Sequence, residues 1–168
     1  KKGWSGLNID LMEQNLLLFK YFRKRDKNIN LAISSDEGDI KAYIFERGSG
    51  LNTTNKKWAE KWKKKIKKSF KIHKVKKNTL SNVLSNEKIK SDFELLNIDV
   101  EGHELEVIQG LDLKKYRPKL ITIEIHCTDV GEILKTKIYK ILTNNRYKFI
   151  SHHYQTSFFI SNDYNFYK

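Results

Sequence analysis

Six side chains able to bind a ligand or exchange a proton stand at the ends of short apolar runs. They are Asp10 after Leu7-Asn8-Ile9, Ser34 after Ala32-Ile33, Asp99 and Glu101 after Leu95 to Ile98, and Glu124 and His126 closing Leu120 to Ile125. Four of the six are carboxylates, in a chain with only 20 acids against 33 lysines and arginines. An acid at the end of a buried strand is costly unless it caps a helix or binds something. Asp10 suits either role, since it can cap the helix that follows it or accept hydrogen bonds from both hydroxyls of a ribose. Asp99-Val100-Glu101-Gly102 says more. A cap explains one acid and leaves the second, and Gly102 permits an unusual backbone before the next helix. Glu124 and His126, two apart on a strand, share a face, although His126 is equally well read as a hydrogen-bonded strand-end histidine. Asp99, Glu101, Glu124 and His126 are also hard ligands of the kind a divalent metal such as magnesium takes, without the ligand spacing of a zinc site. His103 reads as exposed and capping, and His152 and His153 as hairpin surface.

The elements that must position these groups alternate. A short strand over 6–10 is followed by a helix over 11–24, whose Leu16, Leu17, Phe19 and Phe22 form an inward face. Residues 30–34 form a second apolar run, closed by the turn Ser35-Asp36-Glu37-Gly38, and 41–45 alternates as a half-exposed strand. A loop over 48–54 leads to a helix in which Trp58, Trp62, Ile66 and Phe70 recur every four residues. An extended stretch over 70–75 and a short helix over 79–84, capped by Thr79 or Ser81, come next. The second half gives a strand over 93–99, a helix over 103–111 ending near Gly110, and a strand over 119–126. One helix capped by Asp129 follows, then two strands, 147–151 and 156–161, close enough to form a hairpin. Strands alternating with helices predict a single α/β domain over 1–168, with a parallel sheet covered on both faces and an antiparallel edge. Ligands of such sheets bind at the carboxyl ends of the strands, where the six polar groups lie.

Composition narrows the function classes. With 39% apolar and 12% aromatic residues, 168 residues can bury a core. No apolar run approaches the ~18 residues of a membrane span. Cys127 is alone, so an internal disulfide is excluded, and a cytoplasmic setting is the default expectation. The net charge of +13 is concentrated: residues 56–77 carry twelve lysines and one acid, Glu60, and the rest of the chain nets +2. That segment reads as a surface helix docked by its tryptophans. Its lysines could attract an anionic substrate or polymer, or a membrane surface; nucleic acid is disfavoured, because the segment contains no arginine. A lysine-rich module binding nucleic acid or an anionic polymer is therefore the alternative to an enzyme, and it leaves the strand-end acids unexplained. The sequence fixes no oligomeric state.

The run Leu95 to Gly110, with its strand, paired acids Asp99 and Glu101, Gly102, and helix closing on Gly110, closely resembles the signature of the FkbM methyltransferases. The flanking pieces resemble the family in order: Gly3 to Asp10 its second strand, Ala32-Ile33-Ser34 with Gly38 the segment after its third, Thr79-Leu80 the approach to the signature, and Arg117-Pro118-Lys119 with Ile121 to Glu124 its glutamate-bearing strand. The resemblance implies a Rossmann-like class I methyltransferase sheet, mostly parallel, with an antiparallel C-terminal hairpin strand. It implies S-adenosylmethionine as cofactor, with Asp10 on the ribose and Ala32, Ile33 and Ser34 beside the adenine. Asp99 and Glu101 would face the methyl-transfer site, with Glu124 and His126 across the cleft. The acceptor would be a sugar, glycan or other small hydroxylated metabolite. The family's first strand and its glycine-rich loop have no counterpart here. Gly48-Ser49-Gly50 follows an edge-like strand and opens no immediate helix, so the sequence is expected to lack that strand and helix.

Overall fold

The structure, a computed structural model, describes residues 3–164. Its best-buried layer is a four-stranded sheet in the order β6-β7-β9-β8, built from β6 (Leu95–Ile98), β7 (Leu120–Glu124), β8 (Tyr147–His153) and β9 (Thr156–Ser161). The central strand β7 is parallel to β6, pairing Leu95 with Leu120 and Ile98 with Ile123, and antiparallel to β9. Ile121, Thr122 and Ile123 are consecutive and all buried, as a strand covered on both faces requires. β8 and β9 form the expected antiparallel hairpin, with a bulge between Phe149 and Ser151. Around this sheet pack α3 (Leu80–Asn86), α4 (Glu104–Gln109), α5 (Val130–Lys135) and α6 (Lys137–Asn144). They contribute Leu80, Leu84, Val107, Ile108, Ile133 and Leu142 to the same core as Ile98 and Phe159.

The N-terminal half makes two smaller sheets. β1 (Leu7–Asp10) and β2 (Lys27–Asn30) are parallel and joined by α1 (Glu13–Phe22). β3 (Ala32–Ser34) is parallel to β5 (Lys71–Thr79), which pairs antiparallel with β4 (Gly38–Ile44). The helix α2 (Lys56–Ile66) lies between β4 and β5 in the chain.

Four expectations change. Of the inward face expected of the first helix only Leu16 is buried, while Leu17, Phe19 and Phe22 are exposed among the described residues. The sheet is not mostly parallel: of six strand pairings among the described residues, three are parallel and three antiparallel, divided over three sheets. The apolar run over 30–34 is two elements, because Asn30 pairs with β1 while Ala32 pairs with β5, and Leu31 turns the chain between them. The helix begun at Asp129 breaks at Thr136. That residue takes an extended backbone, donates to the Ile133 carbonyl and caps α6 by accepting from Tyr139 N–H at 3.1 Å. The apolar spacing continues across the break, so periodicity alone reads one helix.

β1 pairs only with β2, and β6 only with β7, among the described residues. Their other edges border one open groove of about 610 Å³, lined by Gly6 to Asp10 on one side and Phe93 to Ile98 on the other. Leu95, on the β6 side, is 41% exposed.

Candidate active site

The site is organised by the turn after β6. Glu101 and Gly102 both take left-handed backbone, with φ of 56° and 89°. A glutamate there is uncommon and costs of order 1–3 kcal/mol, so the surroundings must impose it. They do so from two sides. Glu104, the first residue of α4 and almost wholly buried, accepts from Val100 N–H at 3.1 Å and Gly102 N–H at 3.0 Å. From across the turn, the Thr53 hydroxyl donates to the Glu101 carbonyl at 2.7 Å, and the Asn55 side chain donates to the Gly102 carbonyl. Gly102 is needed for space as well as backbone, since a Cβ there would meet the Trp58 ring at 3.1 to 3.3 Å.

Trp58 is held in place because Asn55 caps α2, accepting from Trp58 N–H at 3.1 Å. Its indole then donates to Glu101 Oε2 at 3.0 Å and stacks on the His126 ring, centroids 3.9 Å apart and planes 27° off parallel. Ligand atoms of Glu101, Glu124 and His126 lie within 4.8 Å of one another, as do those of Asp99, Glu104 and Glu124. His126 Nε2 is 3.3 Å from Glu124 Oε2 without hydrogen-bond alignment. Crowding acids in a sheltered place raises their proton affinity. Burial pushes Glu124 up to about 8, helped by the charges of Asp99 and Glu101. Burial also raises Glu101, against the lowering effect of the Trp58 hydrogen bond, and raises Glu104. His126 is lowered by burial, with the Lys61 charge adding to the effect. Near neutral pH the cluster therefore presents a protonated Glu124 beside Asp99, and a neutral imidazole.

Next to these acids opens a cavity of about 220 Å³. Asp10, Ala32, Ile33, Asp99, Glu101 and His103 line it, together with Ser49, Gly50 and Asn52 of the loop before α2. Asp99 and Glu101 thus belong to both the cavity and the acid cluster. Asp10 does not cap α1, whose N-cap is Met12 without a side-chain capping bond; it braces the approach to the helix, accepting from Met12 N–H at 2.7 Å and from the Asn15 side chain at 2.9 Å. Each oxygen keeps a further lone pair for a ligand hydroxyl. Ser34 is buried outside the cavity lining, bonded to His103 Nε2 at 3.2 Å. His103 is accordingly not the exposed cap expected: its side chain is 11% exposed and makes no capping bond.

The family model of the methyltransferase FkbM domain matches residues 1–149. The chain belongs to the FkbM methyltransferase family. It is therefore a methyltransferase. No curated protein and no solved structure matches the chain. Among the described residues, no helix is long and apolar enough to cross a membrane.

Several parts of this candidate site in the FkbM protein escape sequence reasoning. Trp58 reads only as a docking residue, because a tryptophan stripe does not reveal which surface it meets. Glu104 follows the acid pair with no evident role, yet it holds the turn. The 48–54 loop opens no immediate helix and so carries no expectation of a site, although Ser49 and Gly50 reach the cavity. His152 is structural, as expected of hairpin surface, bonding Ser157 and the Tyr154 carbonyl.

Proposed function

We propose that the protein binds S-adenosylmethionine in the cavity between β1 and the Asp99–Gly102 turn, and methylates a hydroxyl of a sugar or other small hydroxylated metabolite. The observation that carries this reading is that Asp10 and Asp99 line one cavity while Asp99 also abuts Glu124. A nucleoside pocket and a proton-accepting cluster then share a wall. The cofactor would supply an electrophilic methyl group on a sulfonium. Asp10 would accept hydrogen bonds from the ribose hydroxyls, with Ala32 and Ile33 against the adenine and Ser34 holding His103 behind them. An acceptor hydroxyl set against Asp99 would give up its proton there or to Glu101, a step worth typically ~10²–10⁴-fold. Protonated Glu124 would donate toward Asp99 and keep it from meeting a second negative charge. The Trp58–His126 stack would wall the cluster from water, and holding the partners in line adds to the rate.

The groove between β1 and β6 supports a Rossmann-like sheet in which one further parallel strand completes the order β2-β1-strand-β6-β7-β9-β8. Both bordering strands run toward the cavity, so the loop leaving the added strand would reach the methionine end of the cofactor. Calorimetric titration with S-adenosylhomocysteine tests both points. We expect binding by a chain extended at its N-terminus so that it supplies such a strand and loop, and much weaker binding by residues 1–168 alone. Absence of binding by both overturns the proposal. In the extended protein, Asp99→Asn should abolish turnover with the fold and S-adenosylhomocysteine binding retained; unchanged turnover removes Asp99 from its role.

A further inference from the structure

Of the twelve lysines of residues 56–77, four towards the C-terminal end lie beside carboxylates: Lys68 by Glu46, Lys74 and Lys76 both by Asp39, and Lys77 by Asp36. The six of α2, Lys56, Lys57, Lys61, Lys63, Lys64 and Lys65, have no carboxylate partner among the described residues, and all are exposed. Like charges three and four apart on one helix destabilise it, so α2 is held by its docking rather than by its own surface. That docking is to the active site. Trp58 reaches Glu101 and His126, Asn55 holds the Gly102 carbonyl, and Ala59 is fully buried. The unneutralised helix is therefore fixed as the rim of the acid cluster, near enough that Lys61 acts on His126.

We propose that α2 is the binding surface for an anionic saccharide chain that serves as the methyl acceptor, an inference that rests on the reaction proposed above. A hydroxylated chain carrying carboxylate or phosphate groups would lay its charges along the lysines and turn a hydroxyl toward Asp99. Eleven helical residues span about 16 Å, which suits several charged units rather than a single anion. Lysine is a compact point charge that does not discriminate carboxylate from phosphate. Single-stranded nucleic acid fits less well, because it binds through exposed aromatic platforms. Here Trp58 is stacked on His126, and Lys65 covers Trp62 at 4.4 Å. A membrane surface fits less well too, since an interfacial helix needs a free apolar face and that of α2 is turned into the protein.

The test is calorimetric binding to the same protein of a polyuronate oligosaccharide, a sugar-phosphate oligomer, a neutral oligosaccharide of equal length, single-stranded RNA of matched charge, and anionic phospholipid vesicles. We expect one or both anionic saccharides to bind, with affinity falling as salt is added. The variant Lys57→Gln/Lys63→Gln/Lys64→Gln should bind them at least about tenfold more weakly with a shallower salt dependence, while its S-adenosylhomocysteine affinity stays that of the unaltered protein. The relative affinity for the two anionic saccharides identifies the anion. Equal binding of the neutral oligosaccharide, tighter binding of RNA or vesicles, or an unaltered affinity in the triple variant overturns the proposal. The S-adenosylhomocysteine titration reads the methyl-transfer proposal separately, and its failure overturns that proposal whatever the saccharide result.

Discussion

Replacing Gly110 by alanine sets two effects of opposite sign against each other. Gly110 ends α4 with φ −82° and ψ 3°, a backbone that alanine adopts without strain. On conformational grounds alone, Gly110→Ala should stabilise by about 0.4–1 kcal/mol through the unfolded chain. Packing opposes it. A Cβ at this position would come closer than 3.0 Å to the Ser34 carbonyl oxygen and within 3.1 Å of the carbonyl carbon. Both are backbone atoms of β3, held by the pairing of Ser34 with Thr79, so no flexible side chain can yield. Overpacking of this kind costs about 1–3 kcal/mol or more. Because the clash is with fixed backbone the cost lies at the upper end, about 3 kcal/mol, and the net expectation is a loss of roughly 2–2.6 kcal/mol, or a Tm lower by about 4–10 °C in a chain of this size. Pushing β3 away from α4 also displaces Ala32 and Ile33 from the cavity, so S-adenosylhomocysteine binding by the extended protein should weaken in parallel. Thermal unfolding by circular dichroism and calorimetry read the two effects. A Tm that is unchanged or higher would refute the reasoning, because it would mean that glycine is there only to end the helix.

The raised proton affinity of Glu124 predicts how stability varies with pH. Its folded-state value of about 8 lies above the ordinary 4.5. The folded protein therefore holds a proton that the unfolded chain has released, and the associated stability is lost as pH rises from 4.5 through about 8. The slope is at most about 1.4 kcal/mol per pH unit, less what solvent screens. Glu124→Gln should flatten this dependence in a Tm-against-pH series, and an identical series in both proteins would contradict it. Trp58→Phe keeps a ring over His126 and removes the donor to Glu101, a bond that lowers the proton affinity of Glu101. In the extended protein, the acidic limb of the rate profile should move to higher pH, with Tm lower by a few degrees for the ~1–2 kcal/mol lost. A profile that stays put would show that Glu101 takes no part in the titration.

The parts of the fold legible in the sequence are those where pattern and partner coincide. β7 is an unbroken apolar run because both of its faces are covered, and the closing hairpin shows as two strands with a short turn between them. The acid pair with Gly102 is legible because its chemistry is local: the left-handed backbone at Glu101 and Gly102 lies within a few residues of the strand end. What is not legible depends on long-range partners. Nothing local tells Leu31 that its two neighbours join different sheets, nor tells Thr136 to interrupt an apolar stripe. The role of Trp58 depends on His126, sixty-eight positions away in the chain, and that of Gly110 on Ser34. Gly110 looks like an ordinary helix terminator, and its reason for being glycine lies on another element.

The edge of β1 that is unpaired among the described residues has a bearing on handling the protein. A two-stranded ribbon is marginal in water by itself. The adjoining α1 shows solvent Leu18, Tyr21 and Phe22, each more than two-thirds exposed. Residues 3–31 therefore form the segment whose amides should exchange with deuterium soonest, well ahead of those in β7 and β9. Bare strand edges beside naked apolar side chains also invite molecules to zip together side by side, so concentrated solutions of this chain should clump unless a guest strand shields that flank.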